Sequence, residues 1–403
     1  MPERLRVLVV DHVAGVGPFR RKYEILAADP TLELTVLAPD RWIENRREVR
    51  PPASVGGYRV LRGTIVWPGY ENRAFFLSGI ASAIRRTRPD VLHLMEEPFS
   101  LIALQAAALC RALQPRARIV FTTFDNLYEG FRYSYRPSWA YALVQRTVHR
   151  LSSAGVAACG DAGRVLYSRG FCQPIRYVPL GVDVARYAVA PDPARRDALG
   201  LRGFVIGYVG RFLPIKGLAV LADALTTLRG EWTLLAVGSG PEQSVLESKA
   251  RQGGWSERLR IPGGVAHEDV PALMALMDVL VLPSVTTPHF REQFGRVLIE
   301  AMCARIPLIG SDSGSIPETM GEAGVVVPER DPAALAAALS RLMADAGERR
   351  QLGEDGRRRA ERHFTWERIA AVYRALWDDL ARGTLAGEAA PYWSAAAAHD
   401  QNP

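Results

Sequence analysis

Along this chain, short runs of β-branched and other apolar residues alternate with longer stretches whose apolar positions recur every three to four residues. In the first half, the runs at 7–10, 34–38, 91–95, 119–123 and 155–158 predict buried strands, while 76–86 and 99–113 carry the helical period. After the turn sequence Pro179-Leu180-Gly181-Val182-Asp183 comes a polar stretch at 189–196, rich in Pro and Asp, which reads as a connection between domains. The alternation then begins again. Runs at 204–209, 233–237, 259–261, 279–282, 308–309 and 325–327 predict strands; 218–228, 270–277 and 296–303 predict helices. Strands alternating with helices imply parallel sheets covered on both faces, with ligands held by loops at the carboxyl ends of the strands. The expected fold class is therefore α/β: two Rossmann-like, doubly wound domains in series, facing each other across a cleft. The end of the chain departs from this. Segments 332–344, 347–363 and 365–380 read as successive helices, with Thr365 as the N-cap of the last. The Ala-rich end, 384–403, has no pattern and predicts a disordered tail.

Composition narrows the class only a little. The 403 residues allow about two or three domains, and 48% hydrophobic with 23% charged residues excludes wholesale disorder. The run at 7–10 is too short for a signal-peptide core, and the longest apolar stretch, near 101–110, is too short for a membrane span. A cytoplasmic protein is expected. Cys110, Cys159, Cys172 and Cys303 are scattered, which suits small core residues better than disulfides or zinc ligands. Charge changes the picture more. Residues 1–185 hold 25 Arg or Lys against 16 Asp or Glu, while the remainder holds 25 against 27. A basic half suits an anionic membrane surface or an acidic partner, or is simply a solvated face. Peripheral contact with the inner face of a membrane, through 41–50 or 85–88, is the partner expectation. No nucleic-acid-binding signature accompanies the charge, so no nucleic-acid partner is expected.

Candidate chemistry concentrates in the second half. In Glu292-Gln293-Phe294-Gly295-Arg296-Val297-Leu298-Ile299-Glu300, two glutamates on one continuous helix would stand ~12 Å apart along its axis, beyond the reach of one small ligand group. With Glu292 in a loop and a helix starting near Gly295, each carboxylate faces a different end of an elongated ligand. The amides of Phe294, Gly295 and Arg296 at the helix start offer partial positive charge to phosphate. Carboxylates suit the vicinal hydroxyls of a sugar or a ribose. Gly210-Arg211-Phe212-Leu213-Pro214-Ile215-Lys216-Gly217 follows a strand and precedes a helix. Its Arg211 and Lys216, the latter one of three lysines in the chain, can neutralise a diphosphate. Ser311-Asp312-Ser313-Gly314-Ser315-Ile316-Pro317-Glu318 is a small-residue loop that allows close approach to backbone. Taken singly, each segment also has an ordinary reading, as a surface glutamate, a basic loop or a turn.

In this order, and with Gly238-Ser239-Gly240-Pro241-Glu242 and 301–318, the segments resemble the retaining, sugar-nucleotide-dependent glycosyltransferases of family four, which have the GT-B fold. The resemblance covers nearly the whole chain and is strongest over 204–328. It implies an acceptor-binding domain at 1–185, a donor-binding domain at 186–364, and a last helix, 365–383, that returns to the first domain. It further implies that Arg211 and Lys216 hold the diphosphate of a UDP- or GDP-sugar and that Glu300 holds the ribose hydroxyls. Glu292, with the backbone at Phe294 and Gly295, would hold the sugar. The implied reaction moves a hexose, with retention, to a hydroxyl of a sugar, a lipid or a small molecule. The loop Asp11-His12-Val13-Ala14-Gly15-Val16-Gly17 resembles the family's glycine-containing loop, which places Gly15 and Gly17 near the donor phosphate. No Asp-x-Asp motif occurs, so no metal or other cofactor is expected, Arg211, Lys216 and a helix dipole taking the cation's place.

In the first domain, Glu96-Glu97-Pro98 and Asp125-Asn126 follow predicted strands. Glu96, Glu97 and Asn126 are the candidate acceptor contacts. Many relatives carry His where this chain has Asp125. As a catalytic candidate beside Glu292, Asp125 would polarise the acceptor hydroxyl or stabilise the anomeric centre; as a plain turn residue it would close an Asx-turn. His12 is an alternative, and His93, in mid-strand, reads as a satisfied core residue. Arg305, where relatives usually have Gly, is expected to alter only a helix end. Two other functions remain open at this point: a sugar-nucleotide epimerase on the same fold, and a non-catalytic sugar-nucleotide-binding module.

Overall fold

A computed structural model describes residues 4–15, 17–44, 47–52, 56–128, 137–388 and 390–394. The chain divides into two compact units, Met1–Gly181 with Trp366–Tyr392 and Val182–Thr365 with Trp393–Pro403. The division therefore falls ahead of 189–196. That stretch runs into the helix Pro193–Ala198 of the second unit, whose first amides, of Ala194 and Arg195, donate to the Asp192 carboxylate.

The first unit is built on seven parallel strands: β1 (Leu5–Val10), β2 (Leu32–Pro39), β3 (Arg59–Gly63), β4 (Val91–Leu94), β5 (Arg118–Thr123), β6 (Ala154–Ala157) and β7 (Ile175–Tyr177). Their spatial order is β7-β6-β5-β4-β1-β2-β3. The order reverses beside β1, where Val7 pairs with Val91 on one side and with Leu34 on the other. The central strands are apolar on both faces, as a sheet covered by helices requires. The two edge strands escaped the sequence pattern because β7 has three residues and β3 reads Arg-Val-Leu-Arg-Gly, half-exposed. One helix began later than expected. Phe75–Phe76 pairs with Ile65–Val66 as a hairpin, and the helix Ile80–Thr87 starts only after Gly79, whose φ of 108° no helical residue adopts.

The last helix, Trp366–Arg382, belongs to this first unit. Its buried residues Trp366, Ile369, Ala370, Tyr373, Leu376, Trp377 and Leu380 recur at helical spacing and pack on Val7, Val9, Val36, Val91, Val120 and Val156. Each large side chain so buried contributes about 1.5–3 kcal/mol. Trp377 Nε1 donates to His93 Nδ1 at 3.0 Å, and His93 Nε2 stands 2.9 Å from Thr122 Oγ1. An indole N–H can only donate, so Nδ1 is the acceptor and Nε2 carries the proton. Burial pushes this imidazole down to about 3, and it stays neutral. Residues 384–388 and 390–394 are placed, where a disordered tail was expected; 395–403 lie outside the described residues. The Glu388 carboxylate accepts from the backbone N of Tyr177 at 2.9 Å and from Arg176 Nη1 at 2.8 Å, and so satisfies the open edge of β7.

The second unit repeats the plan with β8 (Phe204–Val209), β9 (Trp232–Val237), β10 (Leu259–Gly263), β11 (Val279–Leu282), β12 (Leu308–Ser311) and β13 (Gly324–Val327). Their order is β10-β9-β8-β11-β12-β13, again all parallel and again reversing beside its first strand. Asp331 and Asp345 cap the helices Pro332–Ala344 and Ala346–His363 through the amides of Ala334 and Glu348. Arg305 takes the left-handed position after the helix Arg296–Cys303, at φ 58°, where glycine would be unstrained. Of the cysteines, Cys110, Cys159 and Cys303 are buried, but Cys172 is exposed, because it sits in the turn between the helix Gly160–Ser168 and β7. Glu388→Ala leaves the Tyr177 amide and Arg176 without this carboxylate, and is expected to cost about 1–2 kcal/mol in denaturant unfolding. A midpoint equal to that of the wild type would show that this carboxylate adds nothing to the β7 edge.

Candidate active site

In an open parallel sheet, a crevice forms at the carboxyl ends of the two strands beside which the order reverses. In the second unit these are β8 and β11. The loop after β8 carries Arg211 and Lys216; the chain after β11 carries Ser284 and, beyond it, Glu292. Lys216 Nζ donates to Glu292 Oε2 at 2.5 Å, and Ser284 Oγ donates to the same oxygen at 2.6 Å. Both ionic side chains are largely withdrawn from solvent, at 17% and 8% exposure. A pair so desolvated adds little net stability, and losing one partner strands the other.

Two glycines bring the backbone close enough to build this cluster. Gly217, at φ 71°, lies so near the end of β11 that a Cβ there would stand 1.8 Å from the carbonyl oxygen of Pro283. Gly314, at φ 54°, would place a Cβ 2.1 Å from the carbonyl oxygen of Glu292. The small-residue loop expected to admit a ligand thus admits, at Gly314, the backbone of Glu292 itself, whose carbonyl also accepts from Ser315 N at 3.0 Å.

The helix starts where the sequence placed it, at Arg296, after Gly295 at φ 73°. Phe294 is buried, edge-on to Phe364, and its carbonyl accepts from Thr319 Oγ1, so its side chain belongs to the core. Glu300 is buried on the same helix. It accepts from Arg296 Nε at 3.0 Å and from the Tyr187 hydroxyl. Burial raises its pKa, against the pull of Arg296. Arg211 is exposed, and Tyr208 donates to its carbonyl at 2.9 Å. Ser284 and Tyr187 were not singled out from sequence, since a lone Ser after a strand and a lone Tyr in a connection carry no signal. The structure thus gathers Lys216, Glu292 and Ser284 in one cluster and sets Glu300 with Arg296 and Tyr187 in another.

The first unit has its reversal beside β1 and β4, followed by Asp11-His12 and Glu96-Glu97. Glu96 clamps His12 twice: the backbone N donates to Oε1 at 3.0 Å, and Nδ1 to Oε2 at 2.8 Å. Burial lowers the pKa of His12, but the charge and hydrogen bond of Glu96 overrule it and hold the imidazolium up to about 9. The indole of Trp42 lies 4.6 Å from the His12 ring. Among the described residues, no cation pairs with Glu97. It accepts from Phe124 N at 2.7 Å and stands 2.6 Å from Thr123 Oγ1; burial and the neighbouring Asp125 push its carboxyl up to about 8. Asp125 closes an Asx-turn, Oδ1 accepting from Leu127 N at 3.1 Å, and Oδ2 accepts from Arg169 Nη1 at 2.7 Å. Asn126 is buried. Gly15 is covered by the chain at Val49–Pro51, with room for a Cβ only 3.0 Å from Val49 Cγ1. Gly17 opens the helix Gly17–Ala27, and Val16 between the two glycines lies outside the described residues.

Known proteins resemble the chain in both units. The family model Glycosyltransferase Family 4 matches residues 28–186, and Glycosyl transferases group 1 matches residues 203–345. A glycogen synthase of Mycobacterium tuberculosis is 30% identical over 315 residues, which is 74% of this chain and 71% of that one. The chain belongs to glycosyltransferase family 4. A GDP-mannose-dependent alpha-(1-6)-phosphatidylinositol monomannoside mannosyltransferase of the same species is 29% identical over 371 residues, 87% of this chain and 91% of the relative. Among solved structures, the sucrose-phosphate synthase of Thermosynechococcus elongatus superposes with a TM-score of 0.69 at 20% identity, covering 94% of this chain and 100% of that one. That likeness shows the GT-B fold class. The protein is a glycosyltransferase, and neither the epimerase nor the binding-module reading is favoured.

The proton on Glu97 gives a pH test. Its folded-state pKa, about 8, lies above the ordinary value of 4.5, so the stability tied to that proton is complete below 4.5 and is lost as pH rises through about 8. Glu97→Gln keeps a neutral hydrogen-bonding group. Between pH 6 and pH 9 it is expected to lose a few degrees less in Tm than the wild type. Equal losses would mean that Glu97 is ionised throughout.

Proposed function

We propose that the enzyme transfers a hexose from a nucleoside-diphosphate sugar to an acceptor hydroxyl with retention of configuration, without a metal ion. The observation that carries this reading is the Lys216–Glu292–Ser284 cluster, largely withdrawn from solvent at the reversal of the second sheet, with Arg211 exposed on the same loop. Arg211 and Lys216 supply fixed positive charge for the two phosphates, the role a divalent cation would otherwise play. The chain has no Asp-x-Asp motif to hold such a cation. Glu292, held in place by Lys216 and Ser284, accepts from the hydroxyls of the sugar, together with the backbone at Phe294 and Gly295. Glu300 sits one helical turn in, and its lone pairs not taken by Arg296 and Tyr187 accept from the ribose diol.

GDP-mannose is the first donor to try, because the mannosyltransferase that matches most of this chain is named for it. Its acceptor, a phosphatidylinositol mannoside, makes a glycosylated lipid the first acceptor to try. The acceptor falls to the first domain, where Glu96, Glu97, Asp125 and Asn126 follow the strand ends. With GDP-mannose, UDP-glucose and UDP-galactose offered in turn, one is expected to bind and to turn over, with an α-linked product by proton NMR. Lys216→Ala should lower kcat/KM by ~10²-fold or more, the usual cost of losing a preorganised charge at the leaving group. Turnover with none of the sugar nucleotides, or a Lys216→Ala variant as active as the wild type, would sink the reading.

A further inference from the structure

We propose that the outward stripe of the helix Ser138–Leu151 docks this enzyme on the surface of a bilayer containing anionic lipid. The inference goes beyond the reaction and needs neither donor nor acceptor. The helix is held to the first unit by one face, on which Tyr141, Gln145, Val148 and His149 are buried. Asn72 Nδ2 and Arg73 Nε donate to the Tyr141 hydroxyl at 3.0 and 3.3 Å, which fixes that face inward. At about 100° per residue, Trp139, Leu143, Arg146 and Arg150 fall within an arc of about 60° on the opposite side. All four are exposed, and Trp139 and Leu143 are 70% and 56% accessible. A large indole and a leucine at such exposure, in line on one helix, stand apart from the scattered apolar atoms of an ordinary surface.

Charge selects the occupant. Residues 138–151 contain no Asp or Glu, and the stripe continues from its two apolar side chains into two arginines. Apolar and aromatic groups in register with guanidinium groups suit the headgroup zone of a membrane. There the indole and leucine enter the acyl boundary while arginines meet lipid phosphates. The segments that stand out by charge alone lack this combination. Around 41–50, Glu44 and Glu48 dilute the arginines, and Glu48 accepts from Arg50 at 2.8 Å; Asn45 and Arg46 lie outside the described residues. On the helix Ile80–Thr87 the outward side chains are Ser82, Arg85 and Arg86, with no large apolar neighbour among them.

The test is co-sedimentation of the full chain with sucrose-loaded vesicles, either of phosphatidylcholine alone or with phosphatidylglycerol at roughly a third of the lipid, at low and at high salt. The wild type should sediment with the anionic vesicles at low salt and be released at high salt. Arg146→Ser with Arg150→Ser should abolish the preference for phosphatidylglycerol. Trp139→Ser with Leu143→Ser should lower the bound-to-free ratio about tenfold or more. Arg85→Ser with Arg86→Ser should bind as the wild type does. All three pairs lie on exposed positions, so unchanged Tm values and unchanged GDP-mannose binding keep folding and the donor reading separate from this one. Absence of binding to anionic vesicles overturns the proposal, as does a Trp139→Ser, Leu143→Ser variant that binds like the wild type. So does a wild-type dimer, lost in that variant, in sedimentation velocity, which would make the stripe an interface between two copies of the chain.

Discussion

The salt bridge between Lys216 and Glu292 joins two loops separated by 76 residues of sequence, and the rest of the second domain is arranged to make it possible. Two strands become neighbours because the sheet reverses its order between them. The chain after each must then turn tightly enough to meet the other at Gly217, and Gly314, after β12, lets the backbone of Glu292 approach: at either, any Cβ would collide with a backbone carbonyl. Ser284 contributes the second hydrogen bond that a carboxylate withdrawn from water requires. Such a pair is a poor way to stabilise a fold, because desolvation offsets most of the Coulomb attraction. It is a good way to hold a charged carboxylate and a charged amine at fixed positions ahead of a ligand's arrival.

The first domain shows how neighbours in sequence acquire opposite electrical states. Glu96 and Glu97 are adjacent and both follow β4, so they point to opposite sides of the strand end. One side offers an imidazole and a backbone amide, and there the pair carries separated charge. The other offers a hydroxyl, an amide and the nearby anion of Asp125, and there the neutral acid is favoured. His93 completes the contrast. It is buried like His12 but has an indole in place of a carboxylate, and so it remains neutral.

Much of this was legible in the amino-acid order. Buried parallel strands announce themselves as unbroken apolar runs, which is why the central strands of both sheets were visible. The break before Gly295 and the period after it located the helix that carries Glu300. The edge strands were not visible, since half-exposed strands mix polar with apolar residues, and β7 is too short to show a period at all. The partners of the candidate side chains were hidden for a different reason. That Ser284 would reach Glu292, Tyr187 reach Glu300, or Arg169 reach Asp125 depends on which loops the sheet order makes adjacent, and local sequence carries no record of that.

The helix that closes the first domain is made only after every strand of both sheets. Synthesis from the amino end delivers all seven strands of the first sheet, then residues 182–365 of the second unit, before Trp366 emerges. Until then the sheet face formed by Val7, Val9, Val91 and Val120 is covered only in part, by the helix Gly17–Ala27, and His93 has no indole to accept from. Domains generally fold as units in the order of their synthesis, and exposed apolar surface invites association with other chains. Here the second sheet can form before the first is fully covered, although it is encoded second. The nascent first domain must spend that interval shielded or only partly formed. A chain cut short ahead of Trp366 would leave the first sheet without this cover.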